Sequence, residues 1–324
     1  MKRDPPAIEP ISLEGVRTVP LHERTSKVSL EMAGRAWEAG QPLSEFLDRL
    51  PSILAAADLR RVVWRICEAS RKKATVLLGM GAHPIKVGLS SVIIDLMERG
   101  ILSGVALNGA GIIHDAEMAL VGRTSEDVAS GLMEGSFGMS GETADFLNKA
   151  IVGRGRLDQG LGVAVGQALH RENAPHVHYS ILAAGFRLGL PVTVHVALGT
   201  DIIHIHPSVN PEATGAATHL DFRIFARLVS TLEGGVYVNL GSAVVLPEIF
   251  LKALTLVRNL GYHVQSFTTV NMDFHRQYRA RVNVVERPTR GGGEGFELIG
   301  HHEIMLPLLA AAVIESLEGE QGRV

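Results

Sequence analysis

The chain predicts an α/β fold: a Rossmann-like parallel sheet with helices on both faces and a helical N-terminal extension. Three observations lead there. Val76-Leu-Leu-Gly-Met-Gly-Ala-His83 and Gly104-Val-Ala-Leu-Asn-Gly-Ala-Gly-Ile-Ile-His-Asp115 are apolar runs that stop at glycine-rich turns and pass straight into helical patterns. The strand-like runs are continuously apolar, as strands covered on both faces are. Helical patterns separate them along most of the chain.

Composition supports this reading. Hydrophobic residues make up 46% of the 324 and charged residues 20%, enough apolar surface for a sizeable core. Aromatics are 5%, too few for a surface that stacks single-stranded nucleic acid. The net charge is -3 and no dense Lys/Arg block occurs, so no nucleic-acid partner is expected. Cys67 is the one cysteine, which excludes an internal disulfide framework; it lies in an apolar helical pattern and reads as a buried thiol. No apolar run reaches membrane-spanning length, and Met1-Lys-Arg-Asp-Pro-Pro is not followed by the apolar core of a secretion signal. A cytoplasmic protein with no membrane partner is expected.

The elements follow in order. Residues 1 to 28 mix Pro, Arg and Glu without periodicity and are expected to form an extended arm that docks on the body or on a partner subunit. Leu43, Phe46, Leu47, Leu50, Ile53 and Leu54 fall at helical spacing, and Leu59, Val62, Val63, Ile66 and Cys67 resume it. Two helices therefore precede the first strand. We divide the chain into residues 1–73, arm and helices packed on the body, and residues 74–324, a single α/β domain. Within the latter, Ala74–Gly79, Gly104–Leu107, Pro191–Leu198, Gly235–Leu240 and His263–Thr268 read as strands. Ile85–Arg99, Asp221–Leu232, Pro247–Asn259 and Ile304–Leu317 read as helices. Asn283 to Gly300 contains Gly291-Gly-Gly and reads as a mobile loop.

Chemistry is expected where strands end. A strand that stops at a flexible turn before a helix leaves backbone N–H groups free to hold a phosphate. Gly79-Met-Gly-Ala-His-Pro84 has this form, although its spacing departs from the full dinucleotide fingerprint and simple turn chemistry also explains it. Asn108-Gly-Ala-Gly111 is the second such turn; Asn108 can contact a ligand or cap the helix. His114 beside Asp115 reads as a general base or as a polar first turn. Gly199, Gly241-Ser242 and Thr268-Thr269 end further strands, and five such ends in register favour a shared cleft. His195, Asp201, His204 and His206 form a histidine cluster. As a strand, His204 and His206 would share a face. That arrangement suits a metal or a hydrogen-bonding pocket wall; we take the second reading and assign no metal. His176 and His178 are discounted likewise. Glu297, His301, His302 and Glu303 read as the polar start of the last helix.

From Thr75 to Leu317 the order of these turns resembles the deoxyhypusine synthase family. The matching pieces are Leu78-Gly-Met-Gly-Ala-His83 with Gly88, Asn108-Gly-Ala-Gly with Asp115, Leu190-Pro-Val, and Asn210-Pro with the helix Asp221–Leu228. Asn239-Leu-Gly-Ser-Ala-Val-Val245 and Leu306-Pro-Leu-Leu complete the series. The resemblance implies a deoxyhypusine synthase-like parallel fold, NAD as cofactor, and a homotetramer with active sites at subunit interfaces. It implies oxidation of spermidine by hydride transfer to NAD, with an imine that passes an aminobutyl group to an enzyme lysine and then to a protein lysine. Carried over by position, NAD would meet Gly81, Ala82 and His83, then Asn108, Gly109 and Ala110, with Gly79 and Gly111 in the same turns. Further contacts would come from Gly241, Ser242, Thr268 and Thr269, and Asp201 would bind the polyamine.

The departures bear on the reaction. The family pattern has a lysine preceded by a tryptophan late in the chain, whereas this sequence has no lysine after Lys252 and no tryptophan after Trp64. Arg287, Pro288, Thr289 and Arg290 stand in that region, and arginine stays protonated and forms no imine. The expected function is therefore an NAD-dependent enzyme that acts on a small amine or polyamine-type substrate without the lysine relay. Asp201 and Glu248 would hold the cation, and His114 or His204 would move protons. Three alternatives stand beside it: an aminobutyl transferase with Lys252 as relocated nucleophile, a metal-dependent hydrolase using Asp201, His204 and His206, and a non-catalytic nucleotide-binding protein.

Overall fold

The computed structural model describes residues 8–153 and 159–321. Residues 8–42 run extended apart from short 3-10 turns at Leu21–Glu23 and Leu30–Met32. Ile8, Ile11, Leu13, Val16, Val19, Leu21, Val28 and Leu30 are all exposed, so residues 8–30 keep their apolar side chains off the body of their own chain, whereas the Met32 carbonyl and the Arg35 N–H bond to Ser52 and Arg49. The predicted helix pair follows as α1 (Leu43–Arg49) and α2 (Leu54–Arg71). The buried stripe of α2 is Leu59, Val62, Val63, Ile66, Cys67 and Ala69, at the spacing of one helix face. Arg60 donates to the carbonyls of Leu47, Leu50 and Pro51 and locks the two helices together.

Six parallel strands form one sheet: β1 (Val76–Met80), β2 (Gly104–Asn108), β3 (Val192–His195), β4 (Val236–Leu240), β5 (Thr268–Asp273) and β6 (Glu294–Ile299). Their order is β3-β2-β1-β4-β5-β6. Between β1 and β2 lie α3 (His83–Lys86) and α4 (Ser90–Glu98). Between β2 and β3 come α5 (Gly109–Val121), α6 (Val128–Glu134), α7 (Gly141–Val152), α8 (Leu161–Arg171) and α9 (Ile181–Leu188). The later connections are α10 (Pro211–Val229), α11 (Val245–Asn259), and α12 (Tyr278–Ala280) with a π-helical turn at Arg281–Glu286. The long helix α13 (His302–Gln321) closes the described chain.

Two cores cover the sheet, as the apolar strands predict. Val76, Leu78, Met80, Val105 and Leu107 pack with the α2, α4, α5 and α13 side. Leu77, Ala106 and Tyr237 pack with Phe225 of α10 and Phe250 of α11 on the other. The Tyr237 ring stacks on Phe250 at 3.9 Å, and its hydroxyl lies where Gly79 has no side chain; a Cβ there would sit 2.3 Å from it. Gly79 is therefore a packing residue inside β1.

Two buried carboxylates tie helices to the sheet. Asp115 on α5 accepts from the Ser180 hydroxyl at 2.5 Å and from the N–H groups of Ile181 and Leu182, which fixes the start of α9. Asp221 on α10 accepts from the N–H of Gly162 at 3.1 Å and of Val194 at 2.8 Å, joining α8 to the edge strand β3.

Three expectations change. The predicted helix Ile85–Arg99 breaks into α3 and α4 because Gly88 adopts φ +81 between them. The strand expected at His263–Thr268 instead begins at Thr268, so Thr268 and Thr269 stand at the amino end of β5, paired with Val236 and Tyr237. The loop expected from Asn283 to Gly300 contains the π-helical turn and β6. β6 is an edge strand and only partly covered, which is why its sequence carries polar residues. No described helix is long and apolar enough to cross a membrane.

Replacing Asp221 with alanine leaves two buried N–H groups without an acceptor. Asp221→Ala should lower the unfolding free energy by about 3 kcal/mol in urea titration; a loss within error of zero would show that water replaces the carboxylate.

Candidate active site at the carboxyl ends of the strands

The chain leaves β1 toward one face of the sheet and β4 toward the other, which opens a crevice between their carboxyl ends. The two turns meet there. The Gly81 N–H donates to the Leu240 carbonyl at 3.1 Å, and a Cβ on Gly81 would fall 2.4 Å from the Gly241 carbonyl oxygen. Gly241 has φ +61 and faces the His302 ring, whose Cε1 would be 2.5 Å from a Cβ. Beyond it the Ser242 hydroxyl accepts from the Leu246 N–H at 3.1 Å. The N–H groups of Ser242, Ala243 and Val244 have no acceptor among the described residues. They lie at the start of the 15-residue helix α11, a donor set suited to an anion.

On the β2–β3 side of the crevice stands Asp201. Its carboxylate covers the first residue of α5; a Cβ on Gly109 would lie 1.9 Å from Oδ2. Asp201 Oδ2 is buried and has no hydrogen-bond partner, and burial raises the carboxyl to about 6. His204 lies beside it, Nδ1 to Oδ2 3.9 Å. Its Nδ1 accepts from the N–H groups of Gly199 and Asp201, so its proton sits on Nε2, which is buried without a partner. His195 is also buried: Nε2 meets the Thr193 hydroxyl at 3.0 Å, Nδ1 has no partner, and burial lowers its pKa to about 3.

On the β5–β6 side three polar side chains share one level of the sheet with Gly79: Asn239, Asn271 and Glu297. Asn239 Nδ2 donates to Asn271 Oδ1 at 2.8 Å, while Asn239 Oδ1, Asn271 Nδ2 and Glu297 Oε1 remain unpartnered. Asp273, Phe274, His301 and His302 surround the carboxyl end, with His83 reaching them from α3.

The structure thus places Gly81, His83, Gly241 and Ser242 together at the crevice, and Asn108 and Gly109 beside Asp201 and His204. Asn108 acts as a helix cap, its side chain accepting from the Gly111 N–H at 3.0 Å, and Gly111 packs on Leu107. Ala82 caps α3 beside His83. Ala110 continues the first turn of α5. Thr268 and Thr269 are a correction: both lie toward the amino end of β5, away from the crevice.

Glu248 is also a correction, because Lys252, Arg279 and Asn283 already occupy its carboxylate and hold it below the usual range. Lys252 is correspondingly bound to Glu248 on the helix surface. His114 donates from Nδ1 to Thr124 at 2.6 Å, since that hydroxyl is spent on Glu117. Burial, with Lys86 nearby, lowers His114 to about 4. His204 and His206 lie in and after a 3-10 turn rather than a strand, and diverge; His206 turns to Ser208 at 2.7 Å. Among the described residues no group of three His, Cys, Asp or Glu side chains is placed to hold a metal. Sequence reasoning read His302 only as part of a polar helix start and passed over Asp273 and the Asn239–Asn271 pair. The adjacent His301-His302 after a glycine was the available signal.

No protein-family model and no curated protein matches this sequence. Solved structures do match. AgrE, in a ternary complex with ornithine and NAD+, superposes with TM-score 0.53 and 12% identity over 81% of this chain and 33% of that one. A candidate LOR/SDH protein from Methanococcus maripaludis S2 gives 0.50 and 15% over 87% and 72%. A candidate deoxyhypusine synthase from Entamoeba histolytica gives 0.52 and 12% over 87% and 96%. The common property is the fold. The present chain spans about a third of the length of AgrE.

Asp201 ionises less readily folded, at about 6, than in a flexible chain, at 3.8. Stability therefore falls as pH rises between those values. Asp201→Asn should melt at a higher temperature than the parent at pH 8, and the gap should close by pH 4. A variant less stable at pH 8 would show that the carboxylate is a structural tie.

Proposed function

We propose that this protein is an NAD-dependent enzyme that oxidises an amine-type substrate by hydride transfer at the carboxyl edge of its sheet. The observation that carries the reading is Asp201: a buried carboxylate oxygen with no partner, against Gly109 at the carboxyl end of β2, calls for a cation. An ammonium group supplies both charge and hydrogen-bond donors. Asp201 lies against Gly109, which disfavours an anion there, so the N–H groups of Ser242, Ala243 and Val244 are the better seat for the pyrophosphate of NAD. Gly81 and Gly241 keep the crevice floor free of side chains. When bound, NAD supplies a hydride acceptor for the carbon next to nitrogen. Asp201 orients the substrate through its ammonium group, and His204 forms an uncharged wall beside it.

The lysine relay of deoxyhypusine synthases has no counterpart here, so the imine formed on the substrate passes to water or to a second amine. Transfer through Lys252 has less support, since that ammonium is held by Glu248. A metal-dependent hydrolase has less support because Asp201, His204 and His206 do not converge into a metal-holding group among the described residues, His206 Nδ1 being engaged by Ser208. We also propose the homotetramer with shared sites that the resemblance implies; the exposed apolar arm supports association with another copy.

Calorimetry with NAD+ should show saturable binding, and the reduced-nicotinamide absorbance should grow with L-ornithine or spermidine as probes. Asp201→Asn should keep NAD+ binding and lose reduction by roughly a hundredfold, as removal of one partner of a buried ion pair implies. A protein that binds no NAD+ refutes the reading.

A further inference from the structure

Three side chains far apart in sequence meet beside the crevice. His83 opens α3, Asp273 ends β5 and His302 opens α13. His83 Nδ1 and His302 Nδ1 are 2.8 Å apart. One hydrogen lies between them, so one ring donates and the other accepts. His302 is fully buried; its Nε2 has no hydrogen-bond partner and stands 3.9 Å from Asp273 Oδ1. The charged groups facing His302 are Asp273 from β5 and Glu303 from its own helix. Asp273 is itself fixed by the N–H groups of Phe274 and His275, which donate to its Oδ1. The carboxylate favours the proton of His302 on Nε2. That leaves His302 Nδ1 as acceptor, sets the His83 proton on Nδ1, and leaves a lone pair on His83 Nε2. Phe274 packs against both rings, with centroids at 5.4 and 5.6 Å, and Gly241 is the residue whose missing side chain makes room for His302.

We propose that Asp273, His302 and His83 form a proton relay in which His83 Nε2 is the base for the reaction, and that Asp273 and His302 are its positioning residues. The proposal rests on the NAD-dependent reading above and adds the proton acceptor that reading lacks. NAD, when bound, would supply the acceptor for the hydride that the substrate carbon loses with its electron pair. The adjacent ammonium nitrogen releases one proton to His83 Nε2. The C–N bond becomes C=N, and the substrate leaves as an iminium ion. The new charge on His83 is shared through Nδ1 with His302, whose other side faces Asp273. This chain thus places its proton acceptor on α3, whereas His204 has the lone pair of Nδ1 engaged by two backbone N–H groups and carries its proton on Nε2.

Tautomers decide the matter. Long-range proton–nitrogen NMR spectra of the full chain labelled with 15N-histidine should show His83 protonated on Nδ1 and His302 on Nε2 near neutral pH, with His83→Gln and His302→Asn assigning the signals. His302→Ala should let His83 revert to the Nε2–H form that imidazole prefers in water. His302→Asn, whose side-chain oxygen stands in for Nδ1 as acceptor, should preserve the Nδ1–H form. Asp273→Asn should mix the two forms. Addition of NAD+ should shift the His83 signals. A parent protein with His83 protonated on Nε2, or a His83 tautomer indifferent to His302→Ala, overturns the relay even where NAD+ binds. Tautomers as described in a protein that binds no NAD+ overturn the enzymatic reading, and the role of His83 as base with it.

Discussion

The backbone of Gly81 lies so close to the carbonyl of Gly241 that no side chain fits between them. This approach joins the ends of β1 and β4, the two strands from which the chain departs toward opposite faces. Much else depends on it. It sets the floor of the crevice, aims the start of α11 with its unpaired N–H groups, and leaves above Gly241 the space that His302 fills. A methyl group at either position would push the turns apart and misplace all three.

Around that floor lie several buried polar atoms without a hydrogen-bond partner. Asp201, Asn239, Asn271, Glu297 and His302 each keep an unpartnered buried atom near the carboxyl ends of the strands. Leaving such groups unpaired costs stability, which a protein tolerates where ligands complete the bonding. Asp115 forms a useful contrast. It is as deeply buried, but its oxygens take a hydroxyl and two backbone N–H groups, and its work ends with holding α9.

The resemblance noted in the sequence and the structural likenesses agree on architecture. They differ in which protein supplies the better guide to chemistry. The chain carries no lysine after Lys252, and the carboxylate expected to help hold the amine, Glu248, is engaged by Arg279, Lys252 and Asn283. A scaffold shared at this distance carries many reactions, so function here is argued from the unpartnered groups of the site itself.

The strands Val76–Met80 and Gly104–Asn108 were legible because burial on two faces forces unbroken apolar runs. The glycine turns were legible for a similarly local reason: a strand end that must turn sharply needs residues without side chains. Local pattern failed where neighbours overrode it. Thr268 to Asp273 is polar yet central, because Asn271 finds Asn239 across the sheet. Glu294 to Ile299 resembled a loop because an edge strand is covered only in part. By itself, then, the sequence determined the class of fold, helices such as α2, α11 and α13, and the glycine turns, since each follows from residues near one another in the chain. Only the tertiary structure decided that one oxygen of Asp201 stands unpaired over Gly109, that Glu248 is spent, and that His83 meets His302. Those contacts join residues brought together by the crossovers of the sheet, and no local spacing encodes them.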